Sequence, residues 1–311
     1  MSTTRRHFLA TAALAAAAGC STPRAARGLT IIDTHTHFYD PTRPGGVPWP
    51  GKGDPLLYRP TLPADYRAQP VPQPVTATVV VEASPLVEDN QWILDLAAKD
   101  RFIVGFVGNL KPGEEAFAGH LRRFAANPLY RGIRVNEGAL RTGLSNGAFV
   151  ADLKRMADAN LELDVNGGPT LLPEVARLAK ALPSLRVVIN HLANTRIDGK
   201  NVAESWQRDL AAAAKFPQVF LKVSALVEGT GRREGDAPRD VEFYRPWLDV
   251  AWQAFGPERL VYGSNWPVSA RFAPLATVQG IVHDYFSAKG QPALEKFFAG
   301  NARTAYRWLN R

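Results

Sequence analysis

The stretch Thr30-Ile31-Ile32-Asp33-Thr34-His35-Thr36-His37 opens on a β-branched, apolar run and closes on two histidines two residues apart. β-Branched residues suit a pleated, buried surface, so residues 30–34 read as a strand. A dinucleotide-binding open sheet would place a glycine-rich phosphate turn directly after its first strand. Here the chain offers Asp33-Thr34-His35-Thr36-His37 instead, which turns the reading away from that fold. Working outward, seven further strands are predicted over 76–82, 103–109, 132–136, 161–165, 186–190, 219–223 and 260–262. Several are almost continuously apolar, such as Val79-Val80-Val81, as parallel strands covered on both faces are. Between them lie stretches with apolar residues at three- and four-residue spacing: 92–98, 171–182 and 248–255. Pro173 and Pro292 sit where a first helical turn accepts proline. Eight strand–helix alternations in roughly 280 residues is the arithmetic of an α/β fold of the TIM (β/α)8 barrel type. No internal repeat or second core is visible, so residues 28–311 read as a single domain.

Two connections are long. Residues 39–75 hold 10 of the 24 prolines, with Trp49 and Tyr58 among them. The second, 228–236, is polar and glycine-rich. In a barrel, the connections after strands one and seven lie on the catalytic face, so both are expected to wall or cover a pocket.

The front end reads as an address. Arg5-Arg6-His7-Phe8-Leu9 leads into an apolar run over 8–18, followed by Ala17-Ala18-Gly19-Cys20, and residues 1–22 contain no acidic residue. The run is too short to span a bilayer, which takes roughly 20 apolar residues. It resembles a twin-arginine export signal. Residues 1–27 are therefore expected to be a signal peptide and linker, placing the protein in the periplasm. Cys20 would be a candidate lipid attachment point and the chain's one link to a membrane. As the sole cysteine, it excludes a disulfide framework and cysteine-based zinc fingers. The chain has 37 Lys and Arg against 29 Asp and Glu, a formal charge of +8. Cleavage ahead of Cys20 removes Arg5 and Arg6 and no acid, leaving +6. No basic stripe with interleaved aromatics marks a nucleic-acid surface.

The candidate chemistry lies at strand ends. Alternation along a strand predicts that Asp33, His35 and His37 share one face. Two imidazoles so placed can ligate one metal ion together. His191 ends the sixth strand and joins them on the same rim; His7 falls in the signal, while His120 and His283 fall in predicted helices. Arg134 and Lys222 end strands four and seven, where either can hold a substrate carboxylate or polarise a carbonyl. Glu82, at the end of strand two, and Asp33 are the rim carboxylates available as general bases. Asn265, after strand eight, can donate and accept hydrogen bonds but cannot act as a base at neutral pH.

Taken together, these segments resemble the amidohydrolase superfamily, and more closely the amidohydrolase-related branch that includes L-fuconolactonase, L-rhamnonolactonase and 2-pyrone-4,6-dicarboxylate lactonase. The carriers are Ile32-Asp33-Thr34-His35-Thr36-His37, Val104-Gly105-Phe106-Val107-Gly108, Arg131-Gly132-Ile133-Arg134 and Ile189-Asn190-His191-Leu192. Further on they are Leu221-Lys222-Val223-Ser224-Ala225-Leu226 and Gly263-Ser264-Asn265-Trp266-Pro267-Val268, with Gly300-Asn301-Ala302-Arg303 and Tyr306 near the end. The resemblance implies a distorted barrel that hydrolyses a cyclic ester, often a sugar lactone, hence a small-molecule substrate. It implies His35, His37 and His191 as metal ligands or carbonyl polarisers, with one divalent ion, zinc foremost, although metal-independent members exist in this branch. Arg134 and Lys222 would position the substrate, and Asn265 would orient water or a hydroxyl. Many members carry Asp where this chain has Asn265. The residue that activates water is then open among water on a metal, Glu82 and one of the histidines. A decarboxylase or an amide hydrolase would reuse the same rim, and a non-catalytic exported binding protein would be its degraded form.

Overall fold

The computed structural model describes residues 28–311; the export signal expected over 1–27, with Cys20, lies outside them. Eight parallel strands form one sheet in sequence order: β1 Ile32–Thr36, β2 Ala77–Val81, β3 Ile103–Gly108, β4 Tyr130–Asn136, β5 Glu162–Asn166, β6 Arg186–Ile189, β7 Val219–Val223 and β8 Leu260–Tyr262. All eight expected strands are present, with ends moved by up to two residues. The sheet curls until its edges meet. They join through a single parallel bridge between Thr36 and Trp266, the His37 N–H to Trp266 carbonyl bond (2.9 Å) and the Thr34 hydroxyl bond to the Tyr262 carbonyl. β8 is only three residues long, so this seam is brief, and here the barrel departs from the regular form.

Two apolar layers hold it. Outside, the sheet packs on the helices through residues such as Val80, Phe106, Leu163, Leu178, Trp206 and Trp247. Inside, Ile32, Val79, Val104, Val188, Phe220 and Val261 meet Ala302, Ala305, Tyr306 and Trp308 from the C-terminal segment. That segment thus stoppers the end of the barrel opposite the site, tied by the Leu309 N–H to the Val104 carbonyl and by Arg186 to the Ala305 carbonyl. Pro173 and Pro292 do stand in first helical turns. The helix expected over 248–255 starts earlier, at Val241, capped by the Asp240 carboxylate on the Glu242 N–H. Pro246 lies within it; missing one N–H, it masks the helical pattern when read from sequence.

Of the long connections, 39–75 folds back on itself through paired Tyr39–Thr61 backbone bonds and brings Trp49 against His37, ring centroids 5.9 Å apart. The chain after β7 turns through Ala225, at φ 53°, into the short helix Leu226–Gly229. Among the described residues, no helix is long and apolar enough to cross a membrane.

Candidate active site

A cavity of about 880 Å³ opens at the C-terminal ends of the strands. Its lining includes His37, His191, Arg134, Glu82, Asn265 and Trp49. The connection after β1 supplies one wall through Trp49, and the one after β7 supplies another through Glu228.

The three histidines converge. His35 lies 5.0 Å from His37 and 4.3 Å from His191, ring centroid to centroid. His37 and His191 face the cavity, whereas His35 is fully buried beneath them. His191 is held by the Ser224 hydroxyl at Nδ1, 2.8 Å away. It starts an unusual turn in which His191, Leu192, Ala193 and Asn194 all have φ between 45° and 56°. Left-handed backbone costs an L-residue roughly 1–2 kcal/mol per position, so this turn is held by its surroundings. One such tie is the Trp206 indole bond to the Leu192 carbonyl.

Protonation follows from the partners. The Val81 carbonyl, 3.0 Å from His37 Nδ1, can only accept, so that nitrogen carries the proton; Nε2 lies 3.3 Å from Asn265 Oδ1, also an acceptor, and in the neutral ring that contact is not a hydrogen bond. Lys222 Nζ contacts the Thr34 carbonyl, Asp164 Oδ2 and His35 Nδ1 at 2.9, 2.8 and 3.1 Å. Those three acceptors saturate an ammonium. His35 Nδ1 therefore accepts, and the neutral ring bears its proton on Nε2, which has no protein partner. Burial, followed by the Lys222 charge, holds His35 and His191 well below the usual histidine range. Burial and the Arg134 charge lower His37 to about 3. All three are neutral imidazoles at working pH.

This pattern bears on a metal. A zinc ligand must offer a nitrogen lone pair. His37 presents one, but His35, fed by the Lys222 ammonium, presents N–H. The set His35, His37 and His191 is thus one lone pair short, and among the described residues no group of three or more His, Cys, Asp or Glu is placed to hold an ion.

Other expected residues take different places. Arg134 and Glu82 both line the cavity, but they bind each other at 2.7 Å, each side chain 17% exposed. The guanidinium also donates to the Glu82 carbonyl. Lys222 was expected to meet substrate; its ammonium instead lies fully buried under His35, paired to Asp164. Asp33 does not share the histidines' face. The β1–β2 register shifts between Asp33 and Thr36, and the Asp33 carboxylate turns to the Tyr66 hydroxyl (2.7 Å), the Ser264 N–H (2.9 Å) and the His35 N–H (3.0 Å). There it fixes the β1–β8 seam. Gly263 makes room at that seam, since a Cβ there would lie 2.8 Å from His35 Cβ.

One residue was missed. Glu228 lines the cavity, and its Oε1 accepts from Asn265 Nδ2 at 2.9 Å. Its Oε2 is sequestered with no partner. Burial raises its carboxyl to about 7, against the pull of the Asn265 amide. The available signal was its position, first in the polar connection after the seventh strand.

Comparison with known proteins places these features in company. A family model of amidohydrolases matches residues 32–308. An L-fucono-1,5-lactonase from Burkholderia ambifaria is 29% identical over 240 residues, 76% of this chain and 80% of the relative. A second, from Burkholderia multivorans, is 27% identical over 270 residues, 84% of this chain and 90% of the relative. Among solved structures, an amidohydrolase from Burkholderia multivorans crystallised with bound zinc superposes with a TM-score of 0.79 at 24% identity, over 90% of this chain and 100% of the other.

Proposed function

The chain belongs to the amidohydrolase family, and from that premise we propose that it opens a cyclic ester, a sugar lactone or close analogue, by attack of water. The observation that carries this reading is the cluster of three neutral imidazoles, of which His37 and His191 line one large cavity with Arg134 and His35 lies directly beneath them. The lactone class is supported by the two lactonases it resembles. It is also supported by the carboxamides of Asn109, Asn136, Asn166 and Asn194 in the same lining. Beside their protein contacts, Asn136 and Asn166 keep their Nδ2 donors and Asn109 and Asn194 their Oδ1 acceptors, a mixed set that complements a polyhydroxylated ring. A volume of about 880 Å³ suits a substrate of that size.

In this reading the lactone carbonyl lies over the imidazoles. The His35 Nε2–H donates to its oxygen as the tetrahedral oxyanion forms, which is where preorganised donors act most strongly. Burial first, and then the buried Lys222 charge, lower the basicity of His35 and His191, and the field of that charge stabilises an anion above them. Glu82 binds Arg134 through Nε and Nη2, leaving Nη1 for a substrate hydroxyl or carboxylate. His35 acts as a donor here, so no step uses it as a metal ligand.

The test is a panel of aldonolactones including L-fucono-1,5-lactone, followed with a pH indicator on protein dialysed against EDTA. Acid release from at least one lactone is expected, falling roughly 10²–10⁴-fold in His35→Ala/His37→Ala. Turnover surviving that double substitution would sink the reading.

A further inference from the structure

We propose that Glu228 is the general base of this site and that the Asn265 amide holds its carboxylate ionised and aimed. The assignment rests on the lactone-hydrolysis reading and supplies the half of the reaction that the cationic and N–H groups do not.

Asn265 has no proton-accepting group of useful strength. Glu82 is bound to Arg134 by charge-assisted contacts at 2.7 and 2.9 Å. Asp33 faces Tyr66 and Ser264 behind the strand. Asp164 is closed beneath the rim by Lys222 and the Tyr306 hydroxyl. The histidines are poor bases: His35 Nε2 already bears a proton, and burial holds all three below their ordinary range.

Glu228 has what these groups lack. It lines the cavity beside His37, His191 and Asn265. One oxygen is anchored by Asn265 Nδ2 at 2.9 Å, while the other has no partner. Among the described residues it makes no ion pair, so nothing opposes its taking a proton. Burial brings its carboxyl to about 7, where a base is both ionised at working pH and strong enough to pull. The pairing also accounts for an amide at 265. A second carboxylate 2.9 Å from Glu228 would share a proton with it, whereas Asn donates.

In the step itself, the water oxygen bonds to the lactone carbonyl carbon as one water proton passes to the Glu228 carboxylate. The carbonyl π pair moves to oxygen, where His35 Nε2–H receives it. Collapse of the tetrahedral oxyanion breaks the ring C–O bond, and Glu228 returns the proton to the leaving alkoxide oxygen. The product is the hydroxy acid, and Glu228 ends ionised as it began.

The experiment uses whichever lactone the wild type turns over in the panel. Glu228→Gln should lose roughly 10²–10⁴-fold in kcat with KM and melting temperature close to wild type. Glu228→Ala should regain at least about tenfold in added formate, which a purely structural role would not produce. Asn265→Asp/Glu228→Gln, which exchanges carboxylate and amide, should exceed Glu228→Gln by about tenfold or more. A wild type inert to every lactone overturns the lactone reading and this assignment with it. An active wild type whose Glu228→Gln variant stays within about threefold overturns the assignment alone. So does Glu228→Ala that formate leaves unchanged, which also decides the matter if the Gln variant does not fold.

Discussion

The barrel carries ionisable groups at two depths, and the two layers are finished differently. In the deep layer Lys222 spends its three protons on Asp164, Thr34 and His35, and Asp164 also accepts from Tyr306. Glu162 beside it is pushed well above the carboxylate range by burial and then by Asp164; Gly132 leaves space for it, and its two oxygens have no partner. Nearer the rim, His35 Nε2 and Glu228 Oε2 are unpartnered too, but there the cavity lies beside them. Residue types are shared between the layers, so chemistry alone does not separate them. In the lower layer the Lys222–Asp164 pair is closed on itself and sets the geometry, while the upper layer stands beside the cavity and keeps its polar valences for something that arrives.

The sharpest way to break this contrast is to open the lower layer. Asp164→Asn strands the Lys222 ammonium in the core, an uncompensated charge expected to cost about 3–5 kcal/mol. A urea titration at about pH 4, where Glu228 keeps its proton folded and unfolded alike, should show the loss, whereas Glu228→Gln should barely move the midpoint there. If both shifted equally, the division between layers would be wrong.

A smaller effect probes the seam between them. In Gly263→Ala the new Cβ meets His35 Cβ at 2.8 Å and the Lys222 stem at 3.2 Å. The first contact is close to backbone, so the imidazole must move. About 1–3 kcal/mol of stability should go, and kcat should fall more than KM rises, as steady-state kinetics would reveal.

The smallest effect is a dependence on pH. Glu228, raised to about 7 by burial, must be ionised to act, so kcat/KM should rise with pH through that value and then level. Facing it are Asn265, the Tyr244 phenol and the cavity histidines. Burial, then the Glu228 charge, pushes the Tyr244 phenol up and the histidines are held low, so none titrates nearby. Stability runs the other way. The folded carboxyl keeps a proton that the unfolded one releases above its ordinary 4.5. Its contribution is whole below that pH and is lost as pH climbs through about 7. The difference in melting temperature between wild type and Glu228→Gln, followed from pH 4 to 9, checks the sign.

Much of this frame was legible in the sequence, because parallel buried strands write themselves as apolar runs; 219–223 and 260–262 match β7 and β8 at both ends. The rim histidines were legible for the same reason, since each sits where such a run stops. Asp33 was misplaced because alternation assumes an unbroken ladder, and the register shift between Asp33 and Thr36 turns its side chain away. The burial of Lys222 had a trace in Val219-Phe220-Leu221-Lys222-Val223, where a cation stands inside an apolar strand. Its partner Asp164, two strands away, had none. Glu228 was obscured by its neighbours: a carboxylate followed by glycines and arginines looks solvated. Only the turn through Ala225 and the helix Leu226–Gly229 carry it over the cavity.

Trp49 gives the cavity an unexpected property. Of the seven tryptophans in the chain, Trp206, Trp247 and Trp266 are sealed in the core, whereas Trp49 stands in the cavity wall, edge-on to His37 and Tyr39. A molecule settling over the imidazoles changes the polarity around that indole, and with it the wavelength and intensity of its emission. Occupancy can therefore be watched in real time by ultraviolet fluorescence, without a label, even for a compound that binds and is never cleaved.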